Sequence, residues 1–251
     1  MPVTSKTDNV ECGAPELGSR PQGSQVAAPD AEETPGGRVR PIGPGYAAAK
    51  AVADYGVGLI GAALSLPLIL VACLLVVLQD RKWPLHGALR LGRDGVPFPM
   101  WKIRTMRPDA DEVLERLLEQ HPELRQTWEE REKLEKDPRV TPVGRVLRAL
   151  SLDELPQFFN ILAGHMSLVG TRPISEAEMS ERREALKPIL LQAKPGLTGW
   201  WQIQRRADTT YERRVEMDLW YLGHRSLLLD VYIVLATPVA VIYQAATRTQ
   251  Q

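Results

Sequence analysis

Hydrophobic and polar positions divide this chain sharply. Residues 1–45 hold seven proline and seven glycine residues and almost no large apolar side chain. Such a stretch cannot bury enough surface to offset its ordering entropy, and a disordered tail is expected. It is followed by "YGVGLIGAALSLPLILVACLLVVLQ", residues 55–79, which has no charged side chain. A hydrocarbon core of about 30 Å takes roughly 20 apolar residues as helix. An uninterrupted run of this length favours a membrane helix over the buried helix of a soluble domain, so residues 46–80 are expected to be membrane-embedded. Pro67 removes an intrahelical hydrogen bond near the middle of the run, and Ser65 is placed to satisfy a freed carbonyl. Basic residues flank both ends, Arg38, Arg40 and Lys50 before and Arg81, Lys82, Arg90 and Arg93 after. Positive flanks favour the cytoplasm, so a helix that enters, bends at Ser65–Pro67 and returns to the same face satisfies both ends.

From Leu89 onward the pattern is that of a soluble domain. Residues 89–106 carry a turn signal at Asp94–Gly95 and read as a short hairpin. Residues 109–136 are densely charged, with Leu114, Leu117 and Leu118 on one face and a restart after Pro122, as in a solvated helix. Residues 137–162 read as an extended entry and two short helices, 176–193 as a charged amphipathic helix, and 194–206 as a loop shaped by Pro, Gly and Thr. Residues 227–246 are apolar but interrupted by Asp230 and Pro238, which suits a helix lying in a membrane interface better than a second span.

Formal charge is zero, with 31 basic and 31 acidic residues, so no global field points to nucleic acid. The two cysteines, Cys12 and Cys73, make neither a disulfide framework nor a metal cluster, and suit a reducing compartment.

One stretch concentrates candidate chemistry: "SLDELPQFFNILAGHMSLVGTRP", residues 151–173. Asp153 and Glu154 stand side by side where a helix begins. Ser151 with Glu154 three residues later fits a capping box, and acidic residues suit a helix's first turn. The alternative is chemical. Arg139, Arg145 and Arg148 precede the pair, Arg172 follows it, and the Gly-containing loop ending Arg172–Pro173 can present backbone N–H groups to an anion. Carboxylates among arginines beside a membrane suit phosphate chemistry with a metal such as magnesium.

Four ordered blocks carry a resemblance: "KIRTM" (102–106), "DPRVTPVGRVLRALSLDELPQFFNILAGHMSLVGTRP" (137–173), "KPGLTGWWQI" (194–203) and "LLLDVYIVLAT" (227–237). Together they resemble the bacterial sugar transferases, the monotopic polyprenyl-phosphate phosphoglycosyl transferases, over roughly residues 47–245. The resemblance implies an α/β, mostly helical catalytic domain over 81–247. It would face the cytoplasm at the bacterial inner membrane, anchored by a kinked re-entrant helix and followed by a C-terminal interfacial amphipathic helix. It implies a UDP-sugar and polyprenyl (undecaprenyl) phosphate as substrates and Mg2+ as cofactor. Asp153 would be the nucleophile that forms an aspartyl phosphosugar and releases UMP, and Glu154 would help bind the metal with it. Lys102, Arg104, Arg145, Arg148, Arg172 and Pro173 would line the phosphate site, and Asp218 and Asp230 match acidic positions of the family's C-terminal blocks.

Thr171 stands where the family often has Pro, and Ile103 where it often has Phe. "IQRR" follows the tryptophans in place of Gly-Arg, which bears on contacts from Arg205 and Arg206. None of these departures touches the acidic pair. A catalytically inactive membrane-tethered scaffold of the same fold is the alternative function, and a homo-oligomer is left open.

Overall fold

The computed structural model describes residues 42–131, 134, 137–182, 186–204 and 211–248. The expected tail up to position 41, and Arg205 and Arg206, lie outside the described residues. Helix α1 (Pro44–Asp80) opens with Pro44 in its first turn, where a missing N–H costs nothing. It ends at Arg81, which adopts left-handed geometry (φ 56°) and returns its N–H to the Val77 carbonyl. Buried residues recur along it every three or four positions: Asp54, Gly58, Ala62, Ser65, Ile69, Ala72 and Val76. One stripe of the helix therefore faces protein while Leu59, Ile60, Leu64, Leu68, Val71 and Leu78 point outward. Only 28% of its most apolar window is buried, which is not the environment of a core helix. Ser65 Oγ donates to the Ala62 carbonyl at 3.3 Å, one residue before the carbonyl that Pro67 leaves without its donor.

Strands β1 (Leu85–Leu91) and β2 (Pro97–Ile103) form an antiparallel hairpin pairing Leu85 with Ile103 and Leu91 with Pro97. The expected hairpin is present, and it begins four residues earlier than its turn signal suggested. The charged segment folds as α2 (Ala110–Gln120) and α3 (Pro122–Arg131), with the restart at Pro122. α4 (Pro142–Ala149) is capped by Thr141, whose hydroxyl accepts the Gly144 N–H at 2.9 Å. A 3₁₀ turn (Leu152–Glu154) and α5 (Gln157–Leu162) follow.

Strands β3 (Ser167–Val169) and β4 (Gly196–Thr198) pair in parallel. Between them the expected single helix is two, α6 (Glu176–Arg182) and α7 (Lys187–Leu190), the latter with Pro188 in its first turn. The expected loop at 194–206 holds β4 and then α8 (Trp200–Gln204), and α9 (Tyr211–His224) and α10 (Leu227–Arg248) complete the domain. The main core gathers Phe98, Met100, Ile161, Val169, Leu219, Tyr221, Leu222 and Ile233. A smaller cluster of Ala72, Val76, Ile103 and Leu147 joins α1 to β2 and α4. α10 buries Ile233 but exposes Leu228, Val231, Leu235, Val239 and Ile242, a continuous outer stripe.

Candidate active site

The acidic pair is not a capping box. Ser151 is left-handed (φ 55°, ψ 24°) and its side chain caps nothing. Glu154 instead accepts a hydrogen bond from the Lys102 ammonium at 2.8 Å. A non-glycine residue in that backbone region carries strain that its surroundings must impose. Its effect is a tight turn between α4 and α5 that brings the pair to β2.

Asp153 is only 9% exposed. Burial, and after it the neighbouring Glu154 charge, push its carboxyl up to about 6, while Lys102, Arg148 and its own backbone N–H work against the rise. Arg148 is fixed beside it by donating from Nε to Thr105 Oγ1 at 2.8 Å. That contact depends on Gly144: a Cβ there would sit 2.0 Å from the Thr105 carbonyl oxygen, so no other residue lets α4 approach so closely. Thr105 also accepts the Thr141 N–H at 3.0 Å. Arg145, one turn before Arg148, is exposed.

The other expected site residues fall into separate groups. Arg104 forms a bidentate pair with Asp80 at 2.6 and 2.7 Å and also donates to the carbonyls of Trp83 and Met106. These four bonds clasp the end of α1 to the segment that follows β2. Arg172 is ion-paired with Glu178, and its backbone N–H meets both carboxylate oxygens of the buried Asp218 at 3.3 Å. Pro173 follows it, half-buried. In the loop expected to offer N–H groups to an anion, four of them have protein partners. Ser167 donates to Pro195, Leu168 to Asp54, Gly170 to Thr198 and Arg172 to Asp218. Gly170 is required by close packing, since a Cβ would lie 2.3 Å from the Lys194 carbonyl oxygen.

Asp230 accepts from Tyr46, Lys50 and Tyr221 at 2.9, 2.9 and 2.7 Å. It ties α10 and α9 to the beginning of α1. The Tyr221 hydroxyl is raised well above its ordinary range by burial and then by the Asp230 charge.

A sequence model of the family described as bacterial sugar transferase matches residues 45–244. The chain belongs to that family. It is 43% identical over 210 residues to the exopolysaccharide production protein ExoY of Rhizobium meliloti (strain 1021), covering 84% of this chain and 90% of that one. It is 45% identical over 168 residues to the UDP-galactose-lipid carrier transferase of Erwinia amylovora, covering 67% of this chain and 35% of that one. It is likewise 45% identical over 161 residues to the undecaprenyl-phosphate galactose phosphotransferase of Salmonella typhimurium, covering 64% and 34%. The chain thus spans about a third of the length of the last two relatives.

Within this sugar transferase, three residues that join α1, α5 and the strands gave no signal of their own in the sequence. Asp54 precedes the uncharged run by one residue and accepts the Leu168 N–H at 2.9 Å. Asp80 follows the run by one residue and holds Arg104. Asn160 lies inside the longest family block and bonds two backbone groups of β2. Charges bounding an apolar run were the available hint for the first two. Nothing marked Asn160 apart from its neighbours.

Proposed function

We propose that this sugar transferase moves a sugar 1-phosphate from a UDP-sugar to polyprenyl phosphate, undecaprenyl phosphate in a bacterial membrane, as the opening membrane step of exopolysaccharide assembly. One observation carries the proposal: a buried carboxylate, Asp153, beside Glu154 and within the fields of Lys102 and Arg148. The names of the Salmonella and Erwinia relatives support it, each being a sugar transferase acting on a lipid carrier.

The Asp153 carboxylate attacks the phosphorus bearing the sugar. The bond from that phosphorus to the UMP oxygen breaks, UMP leaves, and the phosphosugar is held as an acyl phosphate on Asp153. An oxygen of polyprenyl phosphate then attacks the same phosphorus, the bond to Asp153 breaks, and the carboxylate is regenerated. Splitting one transfer into two displacements is the benefit of a covalent nucleophile. Lys102, Arg148 and Arg145 bind phosphate oxygens and offset the negative charge of the transferring group. Two hard carboxylates suit a magnesium ion, which takes one or two protein oxygens and completes its shell with substrate phosphate and water. Asp153 and Glu154 would hold it, and it would supply charge neutralisation at the diphosphate.

α1 is about 55 Å long by its helical rise, and both its ends are tied to one domain. Tyr46 and Lys50 bond Asp230 at one end, and Asp80 bonds Arg104 at the other. These ties support a helix that enters the bilayer and returns to the same face, and in our reading the domain lies on the cytoplasmic side with the outer stripe of α10 in the interface. Cysteines placed at Ala47 and Lys82 in a background lacking Cys12 and Cys73 should react with a membrane-impermeant reagent from the same side. Labelling from opposite sides would sink the re-entrant topology.

The function is tested with Asp153→Asn and Glu154→Gln in nanodiscs, given magnesium, polyprenyl phosphate and a panel of UDP-sugars. Loss of UMP release with the folded fraction unchanged is expected for both. Normal turnover by both would leave the acidic pair without the proposed role.

A further inference from the structure

We propose that Asn160 is a positioning residue for the transfer. Its side-chain amide stands in for one residue of a neighbouring strand on the outer edge of β2, and so holds Lys102 in register with Glu154. The inference rests on the reading of Asp153 and Glu154 as the reacting pair.

Asn160 is 1% exposed. Its Oδ1 accepts the Trp101 N–H at 2.9 Å, and its Nδ2 donates to the Pro99 carbonyl at 2.8 Å. An N–H only donates and a carbonyl only accepts, so the amide has one orientation here. Residues two apart on a strand point their backbone groups the same way. A single residue of a parallel neighbour pairs with its partner strand in this manner, one bond to each of the residues flanking its opposite number. The other edge of β2 is occupied by β1. On the outer edge Pro97 and Pro99 have no N–H to offer, which bars a true strand from adding there. A side-chain amide needs only one donor and one acceptor, and Trp101 and Pro99 supply them.

The same residue reaches the other parts of the site. Its main-chain carbonyl accepts from His165 at 3.0 Å and Met166 at 3.2 Å, closing α5 and directing the chain into β3. α5 is itself wedged against α1: a Cβ at Gly61 would lie 2.4 Å from the Phe158 ring. Lys102 is the residue after Trp101, and Glu154 lies six residues before Asn160. The Trp101 and Pro99 bonds therefore tie α5 to the backbone of the strand that carries the cation, beside the Lys102–Glu154 pair itself.

The experiment measures UMP release by the full chain in nanodiscs for wild type, Asn160→Ala, Lys102→Met and the double variant. Displacing a catalytic group by about an ångström costs on the order of 100-fold. Asn160→Ala should therefore lower kcat about 30- to 100-fold, with the UDP-sugar KM changed by less than about 3-fold. In the Lys102→Met background the same change should cost less than about 3-fold, because the group being positioned is already gone. Equal losses in both backgrounds, with folding intact, would mean that Asn160 acts elsewhere and would overturn the inference.

A second readout does not depend on turnover. Acylation of Lys102 by an N-hydroxysuccinimide ester, followed by peptide mass spectrometry, should speed up several-fold in Asn160→Ala while exposed Lys82 is unchanged. Unchanged Lys102 reactivity would also overturn it. Asn160→Gln, which keeps the amide but moves it by one methylene, serves if the alanine variant does not fold. If wild type releases no UMP from any UDP-sugar, the transfer reading fails, and Lys102 reactivity still decides what Asn160 does.

Discussion

Asp153 and Asp230 are buried almost equally, at 9% and 8% exposed, yet their surroundings are opposite. Asp230 is met by three donors within 2.9 Å, two from α1 and one from α9. Asp153 has an acidic neighbour, and its charge is offset by the fields of Lys102 and Arg148 and by its own backbone N–H. A buried carboxylate saturated with hydrogen bonds is structural, because its attraction is already used within the fold. A buried carboxylate left short of partners destabilises the free protein and is ready for an incoming electrophile. The difference fits the chemistry proposed for the turn after α4 and an architectural role at the start of α10.

The largest expected effect is on turnover. Asp153→Asn should reduce UMP release by at least about 10³-fold, whereas Asp230→Asn should leave kcat of the folded protein within about 3-fold. Equal losses would erase the distinction. Next is stability. Asp230→Ala strands the Lys50 ammonium and leaves the Tyr221 hydroxyl only weaker partners such as the Val169 carbonyl at 3.4 Å, and should lower unfolding free energy by about 3 kcal/mol, read as a fall in Tm.

The third effect has the opposite sign. Because the folded carboxyl of Asp153 sits near 6, above its unfolded value of 3.8, the folded state holds its proton more tightly. The resulting destabilisation is absent below about pH 4 and complete above about pH 6. Asp153→Asn should therefore raise stability by about 1–2 kcal/mol at pH 7.5 and by little at pH 4. The check is Tm of wild type and Asp153→Asn without magnesium between pH 4 and 7.5, where the gap between them should open as pH rises through about 6. The smallest effect sharpens the geometry of the turn. Ser151→Gly should stabilise by about 0.5–1 kcal/mol by relieving left-handed backbone. A loss would restore the capping-box role.

The periodic features of the chain were legible from sequence: the long apolar helix, the hairpin, and the helices on either side of the acidic pair. What was not legible depended on which of two partners a side chain chose. Ser151 and Glu154 have capping-box spacing, but the left-handed turn sends Glu154 to Lys102, 52 residues away. Arg104 stands among cations that suit a phosphate, but Asp80 at the end of α1 supplies a bidentate partner at 2.6 Å. Gly170 looked like an anion-binding loop residue, and its N–H is used to join β3 to the β4 segment at Thr198. In each case the deciding contact is distant in sequence and invisible to spacing. Asn160 is the extreme instance, because an amide between aromatic and aliphatic neighbours looks ordinary until the Trp101 N–H and Pro99 carbonyl of β2 explain it.

The central claim is that Asp153 carries the phosphosugar. The full chain in nanodiscs, supplied with magnesium and UDP-galactose, UDP-glucose or UDP-N-acetylglucosamine but no polyprenyl phosphate, should release one equivalent of UMP with its active sugar. The protein should gain the mass of a hexose or N-acetylhexosamine phosphate on the peptide containing Asp153, lost again when polyprenyl phosphate is added. UMP release that waits for polyprenyl phosphate, with no adduct on that peptide, would contradict the account.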